Sequence, residues 1–206
     1  LKGSTFGTYY QVKFFEVDKN NSTIEKEIDS IFDRFNSSLS TYISSSIISK
    51  VNRNEKVIAD DLFIDIFKKS KIIYEKTNGY FDPSIGLLLD YAGFGPTKNE
   101  NIVSEDSLAI ILKTVGFDKI DIIDGQVRKL NNKSKLDFNA IAKGYAVDVI
   151  SEFLNSKSID NYMVDIGGEI RTSGKNHHRD MFWSIAIENP IPCLLYTSPS
   201  PRDLWI

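Results

Sequence analysis

The spacing of apolar side chains along the chain predicts several helices. One apolar stripe at intervals of three or four residues is typical of an amphipathic helix near the N-terminus, and its members are Ile24, Ile28, Ile31, Phe32 and Phe35. A short helix is expected over 46–52 after a serine cap, and a longer one over 62–76 with Asp60 or Asp61 as its cap. A further helix is expected over 104–116, from a serine cap to a glycine stop.

Runs of β-branched and aromatic residues predict strands between and after these helices. Residues 8–17 form one such run, and Asp124-Gly125 marks a tight hairpin between two short strands. A strand over 136–138 is expected to lead into the last helix. The remaining strands are expected over 162–173, folded at a Gly-Gly turn, and over 182–190. Helices and hairpins mixed in this way predict an α+β fold, with a mixed or antiparallel sheet and flanking helices.

Composition and charge narrow the class of protein. The net charge of -3 gives no electrostatic reason to expect a nucleic-acid partner. No apolar run reaches the roughly 20 residues of a membrane-spanning helix. The 206 residues suffice for one sizeable core, and the pattern contains no repeats or evident linkers. We therefore expect a single domain over 1–192.

The two ends of the chain suggest that the domain is incomplete. Residues 193–203, "CLLYTSPSPRD", resemble a translated sequencing-library adapter, so we expect 193–206 to be a non-native tail. The single cysteine, Cys193, would then be artefactual, and the natural C-terminal part of the domain would be missing. The chain begins with Leu1 rather than Met, so we expect its natural N-terminus to be missing, and a signal peptide or lipid anchor could have been lost with it.

The segment "DFNAIAKGYAVD", residues 137–148, raises a question about its helix start. A lysine near a helix N-terminus opposes the macrodipole, and a glycine inside a helix costs about 1 kcal/mol relative to alanine. Lys143 and Gly144 would both be explained by an anion bound at the helix start, with Asp137 at the same mouth. The alternative is that Lys143 points into water and Gly144 packs against a neighbouring strand.

Two further segments are compatible with ligand binding. In "DIGGEI", the N–H groups of Gly167 and Gly168 could converge on an anion and Asp165 could hold a cation, although an ordinary hairpin turn explains the same residues. In "NGYFDPSIG", Tyr80 and Phe81 suit a planar ring ligand, although aromatic residues are more often part of a core.

Taken together, these segments resemble the ApbE family. Six motifs occur in the family's order over essentially residues 3–190, and they are "TFGTYY", "LSTYISSSIISKVN", "TNGYFDPSIGLLLDYAGFG", "LDFNAIAKGYAVD", "YMVDIGGEIRTSG" and "WSIAIENP". The members are FAD:protein FMN transferases. The resemblance implies an enzyme that uses FAD and Mg²⁺, attaches FMN to a Ser or Thr hydroxyl of an acceptor protein, and releases AMP. It also implies a bacterial periplasmic or outer-surface location, often as a lipoprotein.

The resemblance also assigns roles to individual residues. The positions that match FAD contacts of the family are Phe6, Tyr42, Tyr80, Phe81, Asp82, Asp137 and Lys143. Gly167 and Gly168 are added as cofactor-binding residues because of their turn, and Asp165 as a catalytic contributor. Ala140 matches a position that binds Mg²⁺, which an alanine can do only through its main-chain carbonyl.

One departure from the family affects the expected activity. The family completes its metal site with an Asp and a Thr from a C-terminal segment that lies beyond Pro192 and is expected to be missing here. The chain alone is therefore expected to be inactive. The open alternatives for the intact protein are a Mg²⁺-dependent FAD pyrophosphatase, which would use water as acceptor, and a flavin-binding protein without chemistry.

Overall fold

The computed structural model describes residues 1–15, 21–96 and 105–186, and the following statements concern these residues. The strands are β1 (Lys2–Thr5), β2 (Thr8–Phe14), β3 (Ile120–Ile123), β4 (Gln126–Lys129), β5 (Tyr162–Ile166), β6 (Glu169–Ser173), β7 (Lys175–Asn176) and β8 (Met181–Phe182). The helices are α1 (Asn21–Leu39), α2 (Ile47–Asn52), α3 (Asp61–Lys76), α4 (Gly86–Tyr91), α5 (Glu105–Leu112) and α6 (Asn139–Ser156), with a 3-10 turn at Phe117–Lys119.

One antiparallel sheet organises the core. Its four strands follow the order β1-β2-β5-β6, and Val12 of β2 faces Val164 of β5 in register. Helix α6 packs on β5 and β6, and α1 packs against α2, α3 and α6. Phe63, Ile150 and Val164 are fully buried between these elements. The structure confirms the α+β class and the antiparallel sheet with flanking helices.

Local sequence chemistry explains several boundaries. Asp60, rather than Asp61, caps α3, because its carboxylate accepts a hydrogen bond from the N–H of Phe63 at 2.8 Å. Asn78 and Gly79 both have positive φ after that helix, which confirms the left-handed stop. Asp124-Gly125 also has positive φ at both residues and joins β3 to β4, as expected for a type I′ hairpin turn.

Other boundaries differ from the sequence predictions. Strand β1 was not predicted, helix α5 ends at Leu112 rather than near Gly116, and the last strand is limited to Met181–Phe182 within the described residues. The predicted cap of α5, Ser104, lies outside the described residues, as does the predicted tail 193–206.

The strand predicted over 136–138 is also wrong. This segment is extended, but its backbone bonds to a side chain and to loop carbonyls rather than to a strand. Leu136 exchanges two hydrogen bonds with the side-chain amide of Asn52, at 2.7 and 2.8 Å. The N–H of Asp137 donates to the carbonyl of Pro83 at 2.8 Å. An extended pattern in the sequence cannot reveal which kind of partner satisfies its backbone.

Among the described residues, no helix is both long enough and apolar enough to cross a membrane.

Candidate functional site

A cleft of about 590 Å³ opens between the β1–β2 turn, the C-terminal end of α1 and the first turn of α6. This volume lies within the usual range for small-molecule sites. The residues that line it are Phe6, Gly7, Phe35, Asn36, Leu39, Ser40, Tyr42, Asn139, Ala142 and Lys143. Aromatic rings, amide groups and one cation therefore face a common space, a combination that suits a ligand with both a planar ring and an anionic group.

The β1–β2 turn places an aromatic ring on one wall of the cleft. Phe6 and Gly7 both have positive φ, which makes the tight reversal between the two strands. The ring of Phe6 packs against Phe32 and Phe35 of α1, with centroids 5.7 and 5.8 Å apart. Tyr42 also lines the cleft, is 66% exposed and follows the end of α1. Its ring is thus available for contact with a ligand.

The first turn of α6 supplies the polar end of the cleft. Asn139 lines the cleft from this turn and Lys143 from the turn that follows. The Asp137 carboxylate accepts a hydrogen bond from the Asn139 N–H at 2.7 Å and so caps the helix start. The Lys143 ammonium lies 3.8 Å from the Glu169 carboxylate across a partly exposed gap. A helix N-terminus with a nearby cation favours an anion, such as a pyrophosphate, at this position.

The Gly-Gly turn between β5 and β6 lies beside this helix start. The Lys143–Glu169 ion pair links the two elements. Gly167 and Gly168 have positive φ, and the Gly168 N–H donates to the Asp165 carboxylate at 3.0 Å. These three residues therefore form a stable hairpin turn, and the geometry gives Asp165 a role in holding it.

Asp137 lies between the helix start and the aromatic loop. Both of its carboxylate oxygens accept hydrogen bonds from Asn139, at 2.7 Å from the backbone and 3.0 Å from the side chain. Burial of its carboxyl group raises the pKa of Asp137, and the nearby Asp90 adds to this effect. The Asp137 N–H bonds to the carbonyl of Pro83, so the loop that carries Asp82 is adjacent to it.

The aromatic loop itself lies outside the cleft wall. Tyr80 is 96% exposed and Phe81 is partly buried, and neither is among the residues that line the cleft. The Asp82 carboxylate accepts hydrogen bonds from the N–H and the hydroxyl of Ser84, at 2.7 and 2.6 Å. These contacts fix the loop beside Asp137. Ligand contacts for Tyr80, Phe81 and Asp82 stay a prediction.

A second groove, of about 390 Å³, lies on the other side of the first turn of α6. Ala140, Gly144 and Tyr145 line it together with Ile72 of α3. A Cβ atom built on Gly144 would meet nothing within 4 Å. The alternative that Gly144 packs against a neighbouring strand is therefore wrong, and packing gives no reason for a glycine at this position.

The described residues do not by themselves make a magnesium site. No group of three or more His, Cys, Asp and Glu side chains in 1–15, 21–96 and 105–186 could hold a metal ion. Ala140 lies exposed in the first turn of α6, where its main chain is near the helix start. Both oxygens of Asp137 are engaged by Asn139. Magnesium requires near-octahedral oxygen ligation, which these groups do not supply.

The structure thus brings most of the predicted residues together, some in the wall of the cleft and others next to it. Phe6, Tyr42 and Lys143 share the cleft wall, whereas Asp82, Asp137 and the Gly-Gly turn adjoin it through backbone and ion-pair contacts. The cleft residues that the sequence interpretation did not single out are Gly7, Phe35, Asn36, Leu39, Ser40, Asn139 and Ala142. Most of them lie inside the quoted motifs, but Phe35 and Asn36 carry no local pattern beyond a core helix.

Fold and cleft together define an α+β protein with a ligand-sized cleft at a helix N-terminus. Comparison with known proteins identifies the family. The family model described as "ApbE family" matches residues 6–201, and the chain belongs to this family.

Individual relatives agree with this assignment. The FAD:protein FMN transferase of Vibrio cholerae is 33% identical over 197 residues, covering 92% of this chain and 58% of the relative. That of Haemophilus influenzae is 36% identical over 203 residues, with the same two coverages of 92% and 58%. The solved structure of the flavin transferase ApbE from Vibrio cholerae has a TM-score of 0.85 at 32% identity, covering 92% of this chain and 63% of that one. The chain therefore spans a little under three-fifths of the length of these two curated relatives.

Proposed function

We propose that the protein transfers FMN from FAD to a Ser or Thr hydroxyl of an acceptor protein and releases AMP. The observation that carries the proposal is the meeting of aromatic rings and a helix start in one cleft, with Lys143 at the polar end. Relatives at 33% and 36% identity are named FAD:protein FMN transferases, which supports the same activity.

In this proposal the cleft binds FAD along its length. Phe6 and Tyr42 contact the planar rings, and Lys143 binds the pyrophosphate beside the start of α6. Gly167 and Gly168 border the phosphates from the β5–β6 turn, and Asp82 and Asp137 approach from the side of Pro83. The contacts in support are the Lys143–Glu169 ion pair and the Asp137–Pro83 hydrogen bond.

The chemical step is a displacement at phosphorus. The acceptor hydroxyl oxygen forms a bond to the FMN-side phosphorus, and the bond from that phosphorus to the bridging oxygen breaks. AMP leaves with the bridging oxygen, and the hydroxyl proton is lost to a base or to water. Lys143 and the helix start stabilise the negative charge that develops on the phosphate oxygens. Asp165 is proposed to contribute to catalysis, although one of its carboxylate oxygens already accepts the Gly168 N–H that holds the turn.

Mg²⁺ dependence belongs to the same proposal and rests on family resemblance. The main-chain carbonyl of Ala140 is its proposed ligand in this chain, and the remaining ligands are proposed to come from a C-terminal segment beyond residue 192. When bound, the ion would neutralise charge on the pyrophosphate. A periplasmic or outer-surface location, with a lipid anchor before Leu1, is proposed on the same basis.

The test follows the fate of FAD in a version of the protein extended to the full length of its relatives. The protein is incubated with FAD, Mg²⁺ and a peptide that carries a target threonine. AMP together with flavinylated peptide supports transfer. AMP with free FMN would show FAD pyrophosphatase activity instead, and FAD binding without AMP release would show a flavin-binding protein. Either of these two results would overturn the proposed transfer.

A further inference from the structure

Helix α2 touches both sides of the cleft without lining it. At its N-terminal end, the Ser46 hydroxyl donates to the carbonyl of Ser40 at 2.7 Å, and Ser40 lines the cleft beside Tyr42. At its C-terminal end, Asn52 bonds to Leu136, which precedes Asp137 and the start of α6. One rigid helix of six residues therefore joins two walls of the site.

The contact at the C-terminal end consists of two hydrogen bonds between one side-chain amide and one backbone residue. The Asn52 Nδ2 atom donates to the Leu136 carbonyl at 2.8 Å, and the Leu136 N–H donates to Asn52 Oδ1 at 2.7 Å. A planar amide that both donates and accepts fixes the distance and the orientation of the backbone that it holds. Leu136 is fully buried and Asn52 is half-buried, so the Leu136 end of both bonds is shielded from solvent.

These two bonds satisfy the N–H and C=O groups of Leu136, which a neighbouring strand would satisfy in a sheet. Beyond Leu136, the next backbone group is also held, because the Asp137 N–H donates to Pro83. Together, these three hydrogen bonds fix the position of the segment 136–138, and therefore the position of the start of α6 and of Lys143. We infer that Asn52 is a positioning residue for FAD binding, which acts by holding Leu136 and thereby the helix start. This inference rests on the proposed function.

A close neighbour offers a matched control. The Asn54 Nδ2 atom donates to the carbonyl of Asn132 at 3.0 Å, across a similar sequence separation, but at an exposed site. Asn52→Leu removes both bonds to Leu136 with little change in side-chain size, and Asn54→Leu removes the exposed bond. Asn54 has a φ of 60°, where leucine is strained, so Asn54→Leu also lowers stability. It therefore controls for a general loss of stability, because the segment that leads to α6 stays held by Asn52.

The experiment measures amide hydrogen exchange and FAD affinity in the 206-residue chain. In Asn52→Leu, exchange at the Leu136 amide should rise by at least about tenfold while amides in α3 change little, because the loss is local. The dissociation constant for FAD, from flavin fluorescence titration, should rise at least about tenfold, whereas Asn54→Leu should stay within about twofold.

A general loss of stability would give a different pattern, since it would raise exchange in α3 as well. If Asn52→Leu does not fold, Asn52→Asp serves, because its carboxylate still accepts from the Leu136 N–H while the oxygen that replaces Nδ2 repels the Leu136 carbonyl. Its effects should run in the same direction.

Unchanged FAD affinity in a folded Asn52 variant overturns the inference, whether or not exchange rises. Failure of the unmodified chain to bind FAD overturns the placement of the FAD cleft within these residues instead, and the role of Asn52 in FAD binding with it. The two failures are distinguished by the unmodified protein alone.

Discussion

At the scale of single residues, Lys143 is the sharpest test of the proposed site. Its ammonium lines the cleft and pairs with Glu169 at 3.8 Å. If a pyrophosphate binds at the start of α6, Lys143→Met removes a charged contact to it. We expect the dissociation constant for FAD to rise about tenfold, which corresponds to about 1.4 kcal/mol. Flavin fluorescence titration measures the change.

The same helix provides the control for this substitution. Lys157 caps the other end of α6, where it pairs with Glu27 at 2.8 Å in an exposed position. Lys157→Met removes an equal charge far from the cleft and should leave FAD affinity unchanged. Equal losses in the two variants would indicate a general effect of net charge and would contradict the site assignment.

Asp137 leads to a prediction about pH. Burial raises its pKa in the folded protein, so between the ordinary aspartate pKa of about 3.9 and the raised value the folded state holds more protons than the unfolded state. The contribution of Asp137 to stability therefore falls as pH rises through that window. Above it the ionised carboxylate is buried at a cost.

Asp137→Asn should remove that cost at neutral pH. Its carbonyl oxygen can still accept from the Asn139 N–H, and a flipped Asn139 amide can meet the new NH₂ group. We expect a higher Tm than that of the unmodified protein at pH 7, and a difference that shrinks toward pH 4, about the pKa of an unperturbed aspartate. A lower Tm at pH 7 would show that the charged hydrogen bonds outweigh the desolvation of the carboxylate.

At the scale of elements, α6 contains a glycine that packing does not require. Gly144 lies inside the helix, and a Cβ atom there would meet nothing within 4 Å. Gly144→Ala should stabilise the protein by about 0.5–1 kcal/mol, because alanine is the better helix former. For a domain of this size the gain corresponds to an increase in Tm of about 1–4 °C.

The same variant tests whether a ligand closely approaches the helix at Gly144. If a bound phosphate or acceptor segment uses the space left by the missing side chain, Gly144→Ala should raise Tm and weaken FAD binding or transfer. Gly168→Ala is the comparison, since Gly168 has a φ of 93° and open space around it. That variant should lower Tm because of backbone strain alone. A gain in Tm with fully retained FAD binding and transfer would remove any functional reason for Gly144.

At the scale of the whole molecule, the described residues contain a cleft but no cluster of metal-ligating side chains. The chain covers 58% of the Vibrio cholerae relative. We predict that the 206-residue chain binds FAD but releases no detectable AMP in the presence of Mg²⁺ and acceptor peptide. A chimera that adds the C-terminal remainder of that relative should release AMP and flavinylate the peptide.

Two controls accompany this comparison. The C-terminal remainder alone should be inactive, and the chimera with Lys143→Met should bind FAD more weakly than the unmodified chimera. Magnesium-dependent flavinylation by the 206-residue chain would show that the described residues hold the ion in a way that the present assignment of ligands does not include.

Local patterns were sufficient to predict the elements whose stability is local. The α1 stripe predicts a buried helix face, and Asp124-Gly125 predicts a hairpin turn, because each depends on neighbours within a few residues. The cap of α3 was narrowed to two aspartates but not to Asp60. In the structure the Asp60 carboxylate also accepts a hydrogen bond from the Ser38 hydroxyl, 22 residues earlier in the chain, a contact that no local pattern shows.

The predicted site residues show the same difference between what local patterns predict and what distant contacts decide. Family motifs pointed to Phe6, Tyr42 and Lys143, and these three line one cleft. The motifs did not reveal that Phe35 and Asn36 complete its wall, since a helical stripe predicts burial but not which part of the helix end stays accessible. Nor did they separate Tyr80 from the cleft wall, because exposure depends on the packing of distant elements.

The sequence by itself determined the family, the α+β class, the hairpin turns at Asp124-Gly125 and Gly167-Gly168, and three of the residues that line the cleft. These features follow from motifs and short-range periodicity, which involve only neighbouring residues. Tertiary structure decided how Leu136 is held, because its partner, Asn52, lies 84 residues away in the chain. It also showed that Gly144 faces open space rather than a strand. Contacts of this kind depend on how the whole chain folds back on itself, and no local pattern encodes them.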